Sequence, residues 1–116
     1  MYDCPVIPEL FAFASLVAGA SIRAAECLAG GACDVAVNWF GGWHHAQRDA
    51  AAGFCYVNDA VLAVHALTPA FPRVLYVDLD VHHGDGVENA FLFTDKVSRI
   101  SAPSRIRSSR ILISQS

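Results

Sequence analysis

The segment from residue 73 to residue 85 changes from apolar to polar at a single point. Residues 73–77 (Arg-Val-Leu-Tyr-Val) are mainly β-branched and aromatic, which is typical of a buried strand, and residues 78–85 (Asp-Leu-Asp-Val-His-His-Gly-Asp) follow directly. Because side chains alternate along a strand, continued extension would place Asp78, Asp80 and His82 on one face. Ligands bind at the carboxyl ends of strands in open α/β sheets. The segment therefore predicts a sheet strand that ends in a polar site.

The rest of the chain alternates between helix-like and strand-like segments. Gly30 and Gly31 are expected to end the first helix, and Asn58 and Asp59 are N-cap candidates for the second. Since fully buried parallel strands read as continuous apolar runs, this alternation predicts an α/β fold with a parallel sheet. The predicted helices cover residues 9–28, 58–67 and 86–93, and the predicted strands cover residues 34–39, 73–77 and 97–101.

Composition excludes several classes of protein. With 54% hydrophobic and 16% charged residues and a net charge of −3, the chain is neither intrinsically disordered nor a basic nucleic-acid binder. Residues 11–29 are the most apolar stretch, but Arg23 and Glu26 interrupt it, which favours a buried helix over a membrane span. The first residues lack the pattern of a signal peptide, which indicates a reducing intracellular compartment. No Cys-x-x-Cys pair is present, so free thiols are predicted at Cys4, Cys27, Cys33 and Cys55.

Residues 102–116 differ in character from the preceding sequence. They contain three arginines, five serines and no acidic residue. Such a composition predicts an exposed or disordered tail, with a short basic strand as the alternative. We therefore divide the chain into a structured region, residues 1–101, and a divergent tail, residues 102–116.

The polar residues that follow the apolar strand predict a metal site. Two neighbouring carboxylates, Asp78 and Asp80, repel each other when both are buried, and a divalent cation removes that repulsion. Together with the imidazole of His82 they offer oxygen and nitrogen donors, a set that favours zinc over magnesium or calcium. A single Asp-x-His is a weak signal, but here it lies among several other His and Asp residues in an otherwise apolar chain.

A second pair of histidines, His44 and His45, follows another predicted strand. Paired with Asp78 and Asp85, these histidines would form His–Asp dyads in which the carboxylate fixes the imidazole tautomer. A dyad beside a metal is typical of hydrolytic chemistry, because the metal polarises a carbonyl while the histidine transfers the proton. A Ser-His-Asp site is the competing interpretation, and the absence of a Gly-x-Ser-x-Gly motif argues against it. His65 falls within a helical apolar pattern and is interpreted as a surface or core residue.

Three motifs in this order resemble the zinc-dependent histone deacetylase family. They are Asn-Trp-Phe-Gly-Gly-Trp-His-His-Ala at residues 38–46, Gly-Phe-Cys-Tyr-Val-Asn-Asp at 53–59 and Tyr-Val-Asp-Leu-Asp-Val-His-His-Gly-Asp-Gly at 76–86. The likeness extends from about Tyr2 to Ser101 and is greatest to the class I enzymes. It implies a partial domain of the three-layer αβα arginase/deacetylase fold, with a mainly parallel sheet.

The resemblance also implies roles for the polar residues. Asp80 and His82 match two of three zinc ligands, and the third ligand is expected to be absent from this chain. His45 matches the general base and acid, with Asp85 as its carboxylate partner. The remaining pair, His44 with Asp78, matches the electrostatic member of the catalytic machinery.

Substrate and cation contacts are likewise implied only by the resemblance. Gly53 and Phe54 match residues that line the channel for the acetyl-lysine side chain, and Asp3 matches a rim carboxylate that holds the substrate's backbone amides. Monovalent cations, potassium or sodium, bind at two family sites. The matching residues are Asp78, Asp80, His82 and Ser101 for one site and Phe91, Thr94 and Val97 for the other.

The activity implied is zinc-dependent hydrolysis of N-acetyl-lysine in histones or other proteins. The expected partners are acetylated histone tails or other acetyl-lysine proteins and corepressor subunits, without direct nucleic acid or membrane contact, and the expected location is the nucleus and also the cytoplasm. Because the family domain is several times longer, the chain is expected to be a truncated piece with weak or no activity alone. Two alternatives stay open: a catalytically dead fragment that only binds partners, and a relative that hydrolyses acetylpolyamines or other small amides.

Overall fold

The structure is a computed structural model that describes residues 3–101. It combines helices with a two-stranded parallel sheet, in agreement with the predicted α/β class. The predicted tail at residues 102–116 lies outside the described residues. In chain order the elements are α1 (Leu10–Ala29), α2 (Asp59–Leu67), β1 (Val74–Asp78), α3 (Asp85–Ala90) and β2 (Val97–Ser101).

Helix α1 spans 20 residues and ends at the glycines, as predicted. The N–H of Gly30 donates to the carbonyl of Glu26 at 2.9 Å, and Gly31 takes a positive φ of 67° that favours glycine. The prediction that this helix is buried is wrong. Only one stripe packs against α2 while the other faces stay exposed, because the described residues place only α2 and a loop beside it. The buried stripe consists of Val17, Ala18, Ser21 and Ala25.

The same helix is long and apolar enough to cross a membrane when it is judged only by length and composition. Within the 18-residue apolar part of this helix, 22% of the residues are buried. Because core helices of soluble proteins and signal sequences share these properties, one such helix is weak evidence for a membrane span.

Helix α2 begins where its capping chemistry predicts. The Asn58 side chain accepts a hydrogen bond from the N–H of Val61 at 3.1 Å, which satisfies one of the free donors of the first turn. The helix ends at Leu67, shortly before Pro69. This start places Asp59 in the first turn, with its side chain buried.

Strands β1 and β2 pair in parallel, with Val74 opposite Val97 and Asp78 opposite Ser101. One face of the sheet packs on α2 and α3, whereas Leu75 and Val77 on the other face are exposed. The sheet therefore carries helices on one side within the described residues. The core on that side consists of Val64, Val87, Phe91 and Val97, with Ala60, Val61, Val74 and Tyr76 packed around it.

The predicted strand at residues 34–39 is wrong. Val35 and Val37 are exposed, and these residues form no strand. A strand requires a hydrogen-bonded neighbour, and within residues 3–101 the sheet contains only β1 and β2. The predicted helix at 86–93 is shorter than expected, since α3 ends at Ala90. All four cysteines are free, as predicted.

Candidate active site

The polar residues meet where three segments come together. Asp78 is the last residue of β1, Asp85 is the first residue of α3, and His44 and His45 lie in the loop between α1 and α2. The rings of the two histidines are 4.1 Å apart between centroids. Residues distant in sequence thus form one cluster at the carboxyl end of β1, where the sequence predicted a site.

His44 and Asp78 form a buried pair. The Nδ1 atom of His44 lies 2.7 Å from Oδ2 of Asp78, and the Tyr76 hydroxyl donates to the same oxygen at 2.9 Å. Burial raises the pKa of Asp78, but the hydrogen bonds from His44, from the N–H of Asp80 and from Tyr76 lower it more, so the net pKa is below its usual value. Burial, and then the contact with Asp78, raises the pKa of the Tyr76 phenol. A carboxylate only accepts, so Nδ1 of His44 is the donor.

His45 and Asp85 form a second pair with the same type of contact, in a more solvent-exposed environment. Nδ1 of His45 lies 2.7 Å from Oδ1 of Asp85, and the Gln47 side-chain amide donates to Oδ2 at 3.0 Å. Burial raises the pKa of Asp85, but the hydrogen bond and the charge of His45 outweigh it, so the net pKa is lowered. The Asp85 side chain is 46% exposed, against 6% for Asp78. One dyad is therefore enclosed and the other is open to solvent.

Two glycines make room for these pairs. A Cβ at Gly84 would lie 2.6 Å from Oδ2 of Asp78 and 3.1 Å from Nδ1 of His44. A Cβ at Gly53 would lie 2.6 Å from Cδ2 of His45, and Gly53 also has a positive φ of 55°. Each dyad therefore packs against the bare backbone of a glycine, and a side chain at that glycine would displace the dyad.

Asp80 and His82 come together by a different route from the one predicted. The strand ends at Asp78, so the extended alternation does not continue through residue 82. Instead, Asp78 accepts the N–H of Asp80 at 3.0 Å, and Asp80 accepts the N–H of His82 at 2.7 Å. Asp side chains commonly bond the backbone two residues on, which competes with the extended ladder. Nδ1 of His82 lies 2.9 Å from Oδ1 of Asp80, and both side chains are exposed.

The Asp80–His82 pair supplies the types of donor that zinc binds but too few of them for a complete site. Its carboxylate oxygen and imidazole nitrogen are donors that zinc accepts, and the His82 ring lies 6.2 Å from the His45 ring. Hydrogen bonds from the His82 N–H and ring lower the pKa of Asp80, which keeps the carboxylate ionised. Across residues 3–101, no group of three or more His, Cys, Asp or Glu side chains could hold a metal ion. The described residues therefore form two donors of an incomplete site.

The residues implied as substrate contacts lie beside His45. Oδ2 of Asp3 accepts the N–H of Gly53 at 2.7 Å, so this carboxylate is fixed next to the glycine that His45 packs against. Phe54 is 73% exposed and has a positive φ of 63°, which is uncommon for a residue with a side chain. Asp3, Gly53 and Phe54 are thus neighbours at the open side of the cluster.

The residues implied as monovalent cation ligands are divided between two predicted sites. The Phe91 and Val97 side chains lie in the core, and the ligands that the resemblance implies at these two residues and at Thr94 are backbone carbonyls. Thr94 accepts the N–H of Lys96 through its hydroxyl at 3.3 Å. Oδ2 of Asp78 accepts a hydrogen bond from His44, and the Ser101 side chain lies outside the described part of the chain. The two cation sites stay a prediction.

Two remaining histidines lie outside the cluster. His83 pairs with Glu88, and His65 is exposed with its ring 5.3 Å from that of Phe91, in agreement with the interpretation of His65 as a surface residue. Sequence reasoning missed the contributions of Tyr76, Gln47 and Asp59. Tyr76 could have been found from the period-two spacing to Asp78, since both face the same side of β1. Gln47 and Asp59 carry no such signal.

Comparison with known proteins identifies the family. The histone deacetylase domain profile matches residues 1–104 of this chain. The chain belongs to the histone deacetylase family. Histone deacetylase 8 of Danio rerio is 59% identical over 100 residues, which cover 86% of this chain and 26% of that protein. Histone deacetylase 8 of Xenopus tropicalis is 56% identical over 100 residues, which cover 86% of this chain and 27% of that protein. Histone deacetylase 9 of Arabidopsis thaliana is 57% identical over 99 residues, 85% of this chain and 23% of that protein.

Membership of the histone deacetylase family confirms the resemblance and the fold class. The parallel strands and their helices are a fragment of the arginase/deacetylase fold. Histone deacetylases are hydrolases and depend in general on zinc. The chain spans about a quarter of the length of the curated relatives it matches. The activity and substrates of this chain are accordingly matters for proposal.

Proposed function

We propose that this chain carries the proton-transfer groups of a protein lysine deacetylase, which hydrolyses the acetyl amide of N-acetyl-lysine in histones or other proteins. One observation carries the proposal: two His–Asp pairs with rings 4.1 Å apart lie beside the Asp80–His82 pair. The 56–59% identity to Histone deacetylase 8 supports it. The products are acetate and the free lysine amine, with water as the second reactant.

Asp80 and His82 would hold the zinc ion through one carboxylate oxygen and one imidazole nitrogen. When bound, zinc supplies Lewis acidity to a carbonyl oxygen and to a water molecule. Residues 1–2 and 102–116 contain no His, Cys, Asp or Glu, so these two segments offer no further ligand of these types. Catalytic zinc sites use three protein ligands, and we therefore expect weak zinc binding and weak or no turnover from this chain alone.

His45 is the group that moves the proton. Its Nδ1 donates to Asp85, whose lowered pKa keeps it ionised at neutral pH, so Nε2 is the ring nitrogen left to accept a proton. Nε2 would take the proton from the attacking water and deliver it to the departing lysine nitrogen. Because His45 is half-buried and Asp85 is partly exposed, substrate and water can reach this pair.

His44 has an electrostatic role in this proposal. It is enclosed together with Asp78, and the carboxylate receives three hydrogen bonds, from His44, Tyr76 and the N–H of Asp80. A charge held in a dry, fixed environment acts more strongly on a reacting group than one in water. The buried pair would therefore set the potential around the His45 ring while exchanging no proton with the substrate.

The substrate's lysine stem would lie along Gly53 and Phe54, which would line one side of its channel. Gly53 presents bare backbone next to His45, and the exposed Phe54 ring offers an apolar surface for a methylene chain. Asp3, already bonded to the Gly53 N–H, has its second carboxylate oxygen for the substrate's backbone amides. Acetylated histone tails or other acetyl-lysine proteins and corepressor subunits are the proposed partners, and the nucleus is the proposed location.

Zinc stoichiometry and acetate release by the full 116-residue chain test this proposal. The chain is purified without metal, loaded with zinc chloride and incubated with an acetyl-lysine peptide. We expect weak binding of one zinc ion and slow acetate release, both lost in Asp80→Ala, which removes one of the two donors. Asp34→Asn, at an exposed position outside the cluster, is the control and should match the unmodified chain.

The other outcomes separate the competing hypotheses. Zinc that stays bound in Asp80→Ala contradicts the assigned ligand pair. Zinc binding without acetate release indicates a catalytically dead fragment and contradicts turnover by this chain. Faster release from an acetylated polyamine than from the peptide indicates a small-amide hydrolase.

A further inference from the structure

Asp59 is the most buried charged side chain within residues 3–101, with 2% of its surface exposed. Its Oδ1 accepts the backbone N–H of Gly42 at 3.0 Å and that of Trp43 at 2.9 Å. Its Oδ2 accepts the hydroxyl of Ser21 at 2.6 Å. A carboxylate is costly to bury unless donors surround it, and here three donors from two other segments do so. The proposed chemistry makes no use of this group.

The donors identify what Asp59 holds. Gly42 and Trp43 immediately precede His44, and the N–H of His44 bonds back to the carbonyl of Gly42 at 2.9 Å. When two consecutive N–H groups donate to one carboxylate, the orientations of the two peptide planes that contain them are fixed. The backbone that leads into both dyad histidines is therefore tied to the first turn of α2.

The neighbouring residue holds the same loop from its other side. The Nδ2 atom of Asn58 donates to the carbonyl of Ala46 at 3.0 Å and to that of His44 at 3.3 Å, while its Oδ1 caps α2. Asn58 thus binds the carbonyl groups of His44 and Ala46. Asp59 binds the N–H groups of Gly42 and Trp43, which precede the first histidine. Together they enclose the backbone of the His44–His45 dipeptide.

The surrounding residues are shaped to the carboxylate. A Cβ at Gly41 would collide with Oδ2 of Asp59, and Gly42 has a positive φ of 96°, which favours glycine. The Ser21 hydroxyl that donates to Asp59 accepts in turn from the Asn38 side chain at 2.8 Å. The carboxylate therefore connects α1, the histidine loop and α2 in one hydrogen-bonded network.

We propose that Asn58 and Asp59 form a backbone clamp in which Asp59 is a positioning residue for both catalytic dyads. The clamp sets the position of the imidazoles relative to Asp78 and Asp85 through the peptide groups on either side of them. Its consequence for turnover rests on the proposed function, whereas its consequence for histidine geometry does not. Misplacement of a reacting group by about 1 Å can lower a rate about 100-fold, so loss of the clamp should lower kcat and leave KM nearly unchanged.

Nuclear magnetic resonance of the zinc-free full chain tests the clamp. Asp59→Asn preserves the shape of the side chain but removes its charge, so the bonds to the Gly42 and Trp43 N–H groups weaken. We expect hydrogen exchange of these two amides to accelerate at least about tenfold, and the Nδ1–H signals of His44 and His45 to shift or broaden. Ser21→Ala removes the third donor while leaving the loop contacts, and should leave the histidine signals in place.

Asn58→Ser provides a second variant that does not depend on Asp59. Serine also caps helices, so α2 should be retained, but the Nδ2 bonds to the loop carbonyls are lost. We expect the same histidine signals to move. If Asp59→Asn fails to fold, Asn58→Ser decides the matter, and unchanged histidine signals in it overturn the clamp. Unchanged amide exchange and histidine signals in a folded Asp59→Asn overturn it as well.

The two proposals can fail separately. If the unmodified chain releases no acetate but Asp59→Asn moves the histidine signals, the clamp stands and the deacetylase activity of this chain does not. If the unmodified chain is active and Asp59→Asn changes neither the signals nor kcat, the clamp is wrong. A fall in kcat at constant KM together with shifted signals supports both.

Discussion

The two histidine–aspartate pairs share one contact and differ in their surroundings. Each joins Nδ1 of a histidine to a carboxylate oxygen at 2.7 Å. His44 and Asp78 are buried, whereas His45 is partly exposed and Asp85 is 46% exposed at its side chain. The same hydrogen bond can therefore serve two purposes. An enclosed pair holds a charge in place and contributes to stability, while an open pair can exchange protons with a substrate.

Removal of the open imidazole should have the largest effect on turnover. In His45→Ala we expect acetate release to fall about 100- to 10,000-fold, because the general base and acid is lost. The fold should be retained, since the ring is not enclosed. Acetate release from an acetyl-lysine peptide measures this, with His65→Ala as the control at an exposed histidine outside the cluster. Equal rates for His45→Ala and the unmodified chain would exclude His45 as the proton carrier.

Removal of the enclosed imidazole should instead act mainly on stability. His44→Ala leaves the ionised Asp78 buried without its partner, and breaking a buried pair in this way lowers the free energy of unfolding by about 3 to 5 kcal/mol. For His45→Ala the expected loss is about 1 kcal/mol or less, as for exposed pairs. Urea unfolding followed by circular dichroism compares the two variants. Similar losses in both would contradict the difference in enclosure.

The glycine beside the enclosed pair gives a smaller effect of the same kind. In Gly84→Ala the new methyl would lie 2.6 Å from Oδ2 of Asp78, so the pair must shift, and we expect a loss of about 1 to 3 kcal/mol in the free energy of unfolding. Gly19→Ala is the matched control. A Cβ at Gly19 meets nothing within 4 Å, and alanine in a helix stabilises by about 0.5 to 1 kcal/mol. In thermal unfolding, the midpoint temperature should fall in Gly84→Ala and rise in Gly19→Ala.

Local chemistry accounts for what the sequence could predict. Helix α1 stops at two glycines, α2 starts at an Asn cap, and β1 coincides with a β-branched apolar run, so each could be placed without knowledge of its neighbours. The segment at residues 34–39 has a strand-like composition, yet pairing depends on a neighbour, which composition does not report.

The site was predictable in its residue types and less so in its geometry. Asp78 and Asp80 bond the backbone two residues on and end the strand, so the donors converge through turns that alternation alone does not show. Asp59 was recognisable only as an acidic residue at a helix start, a position that is usually exposed. Its burial depends on a loop that lies 16 and 17 residues earlier in the chain.

The smallest expected effect is the acid dependence of the open pair. The folded-state pKa of Asp85 is below its ordinary value of about 3.9, so at low pH the unfolded chain binds a proton there more readily than the folded chain. The contribution of Asp85 to stability is thus complete above about pH 4 to 5 and is lost as the pH falls through the folded-state pKa. Because the side chain is about half exposed, solvent screening keeps this contribution small. Urea midpoints at pH 6 and pH 3 should differ slightly less in Asp85→Asn than in the unmodified chain. A larger difference in the variant would mean that the pKa of Asp85 is raised by folding, and that its burial outweighs the contact with His45.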